Sequence, residues 1–121
     1  MVSAEIQEQL MGKAIYTPWG QPHGHISVAP GIDCYDTPSH GGYHLSPDRV
    51  AEMPAMLREH KTWAGDGWYE EDCDWAFVVL SFPQHFVANH VEAARKSLKA
   101  YKPDIYSEFE EWEKANAADS R

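Results

Sequence analysis

The pattern of hydrophobic and polar residues divides the chain into an N-terminal part with the period of β-strands and a C-terminal part with the period of helices. In the N-terminal part, short apolar runs are interrupted by turn residues, of which Pro30-Gly31 is a typical tight-turn dipeptide. Ser46 and Pro47 then have the residue types of a helix N-cap and a first helical position. The predicted strands cover residues 14–17, 25–29, 32–36 and 43–45.

Beyond Pro47, apolar residues recur at spacings of three and four. A first helix is predicted over 47–53 and a short second one after Pro54, because proline interrupts a helix. A central buried helix is predicted over 68–80, since its C-terminal half is apolar nearly all round. Two further amphipathic helices are predicted over 86–101 and from Ile105 onward. The residues that share one stripe of the central helix are Trp68, Asp72, Trp75, Val79 and Phe82.

A chain of 121 residues with 43% hydrophobic content is long enough for one folded domain but not for two. The predicted fold class is α+β, with a small antiparallel sheet of three to four strands packed by three to four helices from the C-terminal half. No run of eighteen apolar residues is present, so we expect a cytoplasmic protein that does not enter a membrane. The predicted divisions are an arm or helix over 1–13, sheet and loops over 14–46, helices over 47–117 and a frayed tail over 118–121.

The acidic balance of the chain excludes one class of partner. The net charge is −9 and the pI is near 5.1, whereas nucleic-acid binding requires a basic surface. The clustered acids favour a small binding module that engages another protein. A homodimer through Trp63, Phe109 and Trp112 is a further possibility for that class. The residues predicted to form the binding surface are Trp19, Tyr43, Trp68, Tyr69, Glu110 and Glu111.

The stretch from Thr37 to Pro47 concentrates turn residues, hydroxyls and two histidines. Gly41-Gly42 is predicted to form a tight hairpin turn with positive φ angles. The stretch is either a structural junction or a catalytic loop, and in the second case it indicates a small hydrolase or transferase whose histidines face acids of the central helix. The catalytic candidates are Ser39, His40, His44, Glu70, Glu71, Asp72 and Cys73.

Asp72 falls on the buried stripe of the predicted central helix, and a buried acid needs a partner. We therefore expect Asp72 or a neighbour to connect that helix to the Thr37–Pro47 stretch, so that replacing Asp72 with Ala lowers the melting temperature. Cys73 is expected to be a packing residue, because the surrounding acids raise the pKa of a thiol.

Seven histidines raise the question of a metal site. Metal-binding spacings such as HExxH and CxxC are absent from the sequence, so no cofactor is predicted. Zinc is the alternative, because adjoining hairpins could bring histidines together and Cys34 or Cys73 could add a thiolate. The candidate ligands are His23, His25, His40 and His44.

Five segments of the chain have a distinctive sequence: Thr17-Pro-Trp-Gly-Gln21, Pro30-Gly-Ile32, Thr37-Pro-Ser-His-Gly-Gly-Tyr-His-Leu-Ser46, Gly67-Trp-Tyr-Glu-Glu-Asp-Cys-Asp-Trp-Ala76 and Phe82-Pro83. Together they resemble a bacterial domain family of unknown function that is associated with plasmids and phages. The resemblance covers about Tyr16 to Phe86 and implies a prokaryotic cytosolic setting on a mobile element, in which an acidic binding module is expected to act as an inhibitor or mimic on a host macromolecule. It brings no activity, cofactor or catalytic residue.

Overall fold

The computed structural model of the protein describes residues 17–119, with side chains described as far as residue 117. The arm or helix predicted over 1–13 lies outside the described residues, as do residues 14–16 of the first predicted strand. Thr17, the last residue of that strand prediction, forms an isolated bridge with Gly20.

Four strands in the order β1-β2-β3-β4 form an antiparallel sheet. The predicted turn joins the first two strands, and its Gly31 adopts a φ of +81°, which favours glycine. The predicted α+β class and its small N-terminal sheet are confirmed. The strands are β1 (Gly24–Ala29), β2 (Ile32–Asp36), β3 (Gly41–Leu45) and β4 (Trp68–Glu70).

The helices lie mostly in the C-terminal half. As predicted, Ser46 caps the first of them, its hydroxyl accepting the Arg49 N–H at 3.2 Å. No helix within residues 17–119 combines the length and apolar character that crossing a membrane requires. The helices are α1 (Pro47–Glu52), α2 (Ala55–Arg58), α3 (Trp75–Ser81), α4 (Ala88–Tyr101) and α5 (Pro103–Asp119), with a 3₁₀ turn at Pro83–His85.

The prediction of one helix over 68–80 is wrong in its N-terminal half. Trp68–Glu70 forms β4, which pairs with β3 at the edge of the sheet, and the helix begins only at Trp75. Gly67 forms part of a turn just before the strand, and its φ of +79° favours glycine. In the strand, Tyr69 points to one face while Trp68 and Glu70 point to the other, so the helical stripe through Trp68 and Asp72 does not exist.

The hairpin turn predicted at Gly41-Gly42 is also wrong. Both glycines lie inside β3, are buried, and have no positive φ angle. The reversal occurs at Thr37–His40, where the Thr37 N–H donates to the His40 carbonyl at 2.8 Å and the Thr37 hydroxyl donates to the same oxygen at 2.6 Å. The threonine therefore closes the turn that the glycines were expected to make.

The sheet has two differently covered faces. On one face, Ile32, Leu45 and Tyr69 join the hydrophobic core with the helices, chiefly the five consecutive buried residues of α3 from Ala76 to Leu80. On the other face, aromatic rings pack against one another, with Trp19 edge-on to Trp68 at 5.7 Å and Tyr35 tilted against Trp68 at 5.8 Å. β4 is an edge strand of this sheet, and a short segment links it to α3.

Candidate functional site

The link between β4 and α3 carries a buried carboxylate at each end. Glu70 is 4% exposed and Asp74 is fully buried, although acids are rarely buried unless they are paired. The Asp74 N–H donates to the Glu70 carbonyl at 2.9 Å, which closes the link into a compact turn. The two side chains have different partners, so each end of the turn forms its own polar site.

The Glu70 carboxylate is fixed by its own turn and faces the Thr37–Pro47 stretch. Its Oε2 accepts the N–H groups of Asp72 at 2.8 Å and Cys73 at 3.0 Å. Its Oε1 lies 3.4 Å from His40 Nδ1. Glu70 thus makes the connection for which Asp72 was the first choice, whereas Asp72 is exposed.

Four side chains converge at this end of the turn. One ligand atom from each lies within 4.8 Å of the others, and only Glu70 among them is buried. Gly41 leaves room for the approach, since a Cβ at that position would lie 2.8 Å from Asp36 Oδ1 and 3.1 Å from Glu71 Oε2. We call this group the carboxylate–histidine cluster; it consists of His40, Glu70, Glu71 and Asp72.

At the other end of this turn, the Asp74 carboxylate contacts His60. Its Oδ1 lies 3.0 Å from His60 Nε2, and its Oδ2 accepts the Trp63 N–H at 3.3 Å. The His60 ring stacks on Phe77, with centroids 4.2 Å apart and planes 7° from parallel. A fully buried acid and a packed ring therefore fix this imidazole in one orientation.

A pocket of about 370 Å³ lies beside this pair. Its walls combine apolar side chains with several polar ones, as small-molecule pockets commonly do. His44 lines this pocket and packs against Trp68 with tilted rings whose centroids are 4.4 Å apart, so it does not join His40 as the sequence suggested. The lining residues whose side chains carry polar groups are His44, Arg58, His60, Thr62, Asp66 and Tyr69.

A protein-family model described as a domain of unknown function, DUF7007, matches residues 12–121. The chain belongs to the DUF7007 family. The match extends beyond the segments that carried the resemblance and includes α4 and α5. No curated protein and no solved structure matches the chain.

In this DUF7007 domain the remaining catalytic candidates, Ser39 and Cys73, form no hydrogen bond with a histidine of the described residues. Ser39 is exposed, and its hydroxyl donates to the Trp19 carbonyl at 3.3 Å rather than to a histidine. Burial, reinforced by the charges of Glu70 and Asp74, raises the pKa of the Cys73 thiol and disfavours the reactive thiolate. Both cysteines of the described chain are free thiols.

The histidines proposed as zinc ligands do not converge. His23 is exposed, and His25 pairs with Asp33 at 2.8 Å while stacking on Tyr35. Only His40 belongs to a group of possible metal ligands within residues 17–119. The four histidines therefore do not meet at one site, and His40 lies beside the acids of the β4–α3 turn instead.

The predicted binding surface is largely internal. Trp19 and Tyr69 are buried, and Tyr43 and Trp68 are half-buried against neighbouring rings and the core. Glu110 and Glu111 lie on α5, half-buried and exposed respectively. For the suggested dimer face, Phe109 is buried in the core, whereas Trp63 is 74% exposed.

Sequence reasoning missed the His60–Asp74 pair. The two residues are separated by 14 positions, and His60 lies in a polar segment without a recognisable motif. The one available signal was Asp74 itself, an acid placed directly before the apolar run of α3. A carboxylate at the start of a buried helix indicates an internal partner but does not identify it.

The environment of His44 leads to a pH prediction. Burial lowers the pKa of His44, and the opposing effect of Asp33 does not reverse the shift. The unfolded chain therefore binds this proton more readily than the folded domain, so the stability from neutral His44 is lost as the pH falls below about 6.5. In urea titrations, the free energy of unfolding should fall more between pH 7 and pH 5 in the wild type than in His44→Gln. The exposed His85→Gln variant is the control and should keep the wild-type pH dependence.

Proposed function

We propose that this DUF7007 domain binds one divalent transition-metal ion at the carboxylate–histidine cluster and uses it for hydrolytic or group-transfer chemistry. The observation that carries the proposal is the convergence of four ligand atoms within 4.8 Å, from one imidazole and three carboxylates. Small hydrolases and transferases commonly use such an ion as a Lewis acid and to lower the pKa of a bound water.

The donor set indicates which metals would bind. Carboxylate oxygens suit Mn²⁺ and Mg²⁺, whereas an imidazole favours first-row transition metals such as Zn²⁺. The mixed set supports Mn²⁺ or Zn²⁺ rather than an alkaline-earth ion. No lysine or arginine of the described residues forms an ion pair with Glu70, Glu71 or Asp72, so a bound cation would relieve the repulsion between them.

Glu70 is suited to anchor the metal. Its Oε2 is held by two backbone N–H groups, which leaves Oε1 directed towards His40. The His40 backbone is fixed in turn, because its N–H donates to the Thr37 hydroxyl at 3.1 Å. Fixed ligands reduce the conformational entropy that metal binding must overcome. The exposed Glu71 and Asp72 leave the ion open to solvent and substrate, as catalytic metal sites require.

The burial of aromatic side chains on the predicted binding surface favours this proposal over a protein-binding module that uses that surface. Such a module needs exposed aromatic anchors, and of the four aromatic residues predicted for its surface, Trp19 and Tyr69 are buried and the other two are half-buried. Most of the surface expected to contact a partner is therefore occupied by intramolecular packing. The metal proposal requires only the four residues of the carboxylate–histidine cluster, whose ligand atoms lie within 4.8 Å of one another.

Titration with Mn²⁺ and Zn²⁺ by calorimetry tests the proposal directly. One ion should bind per chain, and His40→Ala or Glu70→Gln should weaken binding by about 100-fold, since each removes a ligand. Glu111→Gln, an exposed acid on α5, is the matched control and should bind as the wild type does. Equal affinity in His40→Ala and the wild type would show that the cluster is an acidic surface without a specific ion.

The catalytic part of the proposal has its own measurement. The metal-loaded domain should hydrolyse a general ester or phosphodiester reporter, and both EDTA and His40→Ala should abolish that activity. Specific metal binding without any turnover would leave a metal-binding domain and remove the enzymatic role.

A further inference from the structure

The His60–Asp74 pair and its pocket belong to neither the metal cluster nor the packed core. Asp74 is an acceptor-only carboxylate, so the atom that it faces, His60 Nε2, carries the hydrogen and donates it. In the neutral imidazole, Nδ1 then holds the lone pair and is an acceptor. Asp74 thus fixes both the ring and its tautomer, as the acid does in a histidine–aspartate dyad.

The acceptor nitrogen of His60, Nδ1, has no hydrogen-bond partner among the described residues. A fully buried side-chain nitrogen or oxygen without a partner occurs among those residues only at Trp19 Nε1, so His60 Nδ1 is not fully buried and contacts solvent. His60 lines the pocket, so this nitrogen is the group of His60 that has an acceptor site left for a bound molecule.

The other walls of the pocket define what such a molecule would carry. Arg58 is exposed and uses one guanidinium nitrogen for two long bonds of 3.4 Å to backbone carbonyls, which leaves N–H groups for a carboxylate. Leu45 and Val50 provide an apolar wall. Asp66, also at the pocket, disfavours a second negative group on the ligand.

We infer that this pocket binds a small monocarboxylate bearing a hydroxyl group, an apolar 2-hydroxycarboxylate in chemical class. Arg58 pairs with the carboxylate, His60 Nδ1 accepts the hydroxyl hydrogen, and the apolar part rests against Leu45 and Val50. This binding site is independent of the metal cluster, because it uses none of the four metal-ligand candidates.

Two probes that differ by one hydroxyl test the inference. Mandelate and phenylacetate share the ring and the carboxylate, but only mandelate can donate to His60. Titrated by heteronuclear NMR in EDTA, so that the cluster holds no metal, wild-type protein should bind mandelate about tenfold more tightly, the difference that one hydrogen bond makes. Equal affinities, or no binding of either probe, would overturn the inference.

Variants assign the two contacts. His60→Phe retains the stacking on Phe77 and should reduce the mandelate preference to nearly one, whereas Arg58→Gln should weaken both probes about tenfold and keep the preference. Arg58 is exposed, so its variant folds even if His60→Phe leaves Asp74 unpaired and unfolds. Lys96→Gln on α4 is the control and should change neither affinity. Unchanged affinity in Arg58→Gln would contradict the proposed carboxylate contact.

Discussion

Replacement of Asp74 with Ala should destabilise the domain by about 3 kcal/mol, because removing one partner of a buried polar pair leaves the other without its bond. Asp74 is fully buried, and its two oxygens bond His60 and the Trp63 N–H. In a domain of this size the loss corresponds to a decrease of about 10 °C in melting temperature. Thermal unfolding followed by circular dichroism measures it.

Asp72→Ala is the matched control, since the two acids are two positions apart in the same turn. Asp72 is exposed and accepts no hydrogen bond from the described residues, so its replacement should change the stability by no more than about 0.5 kcal/mol in metal-free buffer. Equal decreases for the two variants would contradict the assignment of Asp74 as the buried acid.

The contrast between these two acids shows where reasoning from sequence reached its limit. Asp72 was expected to be buried because it lies four residues after Trp68 and three before Trp75, a spacing that places all three on one helical stripe. The first three residues of this segment, Trp68–Glu70, also fit the two-residue period of a β-strand. Pairing with β3 stabilises the strand rather than the helix. Short segments fit both periods, and only the neighbouring strand decides between them.

Two elements with local signals were predicted well, although the local signal of Gly41-Gly42 placed a turn inside a strand. The Pro30-Gly31 turn and the start of α1 depend on the backbone preferences of the residues that form them. The fourth strand depends on a partner more than twenty residues away, and no feature of Trp68–Glu70 specifies that partner. Long-range pairing was therefore the main source of error in the fold.

The candidate sites show the same division. The sequence placed His40 opposite Glu70, Glu71 and Asp72, and these residues do meet, because two adjacent strands bring their ends together. His44 was paired with His40 in that hypothesis, but His40 directly precedes β3 and belongs to the cluster, whereas His44 lies near the other end of β3 and lines the pocket. The pocket itself is formed by segments distant in sequence, so no local motif could reveal it.

Replacing Gly42 with Ala should destabilise the domain by about 3 kcal/mol and also lower the affinity of the carboxylate–histidine cluster for a metal ion. An added Cβ would lie 2.2 Å from the Tyr69 carbonyl and 2.6 Å from the Trp19 ring, so β3 and β4 must separate to relieve the overlap. Glu70, the strand partner of Gly42, would shift with β4 and lose its alignment with His40. Urea titration should therefore show a lower free energy of unfolding, and calorimetry a weaker affinity for Mn²⁺. Gly24→Ala is the control, because its Cβ would meet Asp36 at an ordinary 3.4 Å. A stable Gly42→Ala domain that retains wild-type metal affinity would contradict this role of the close strand contact.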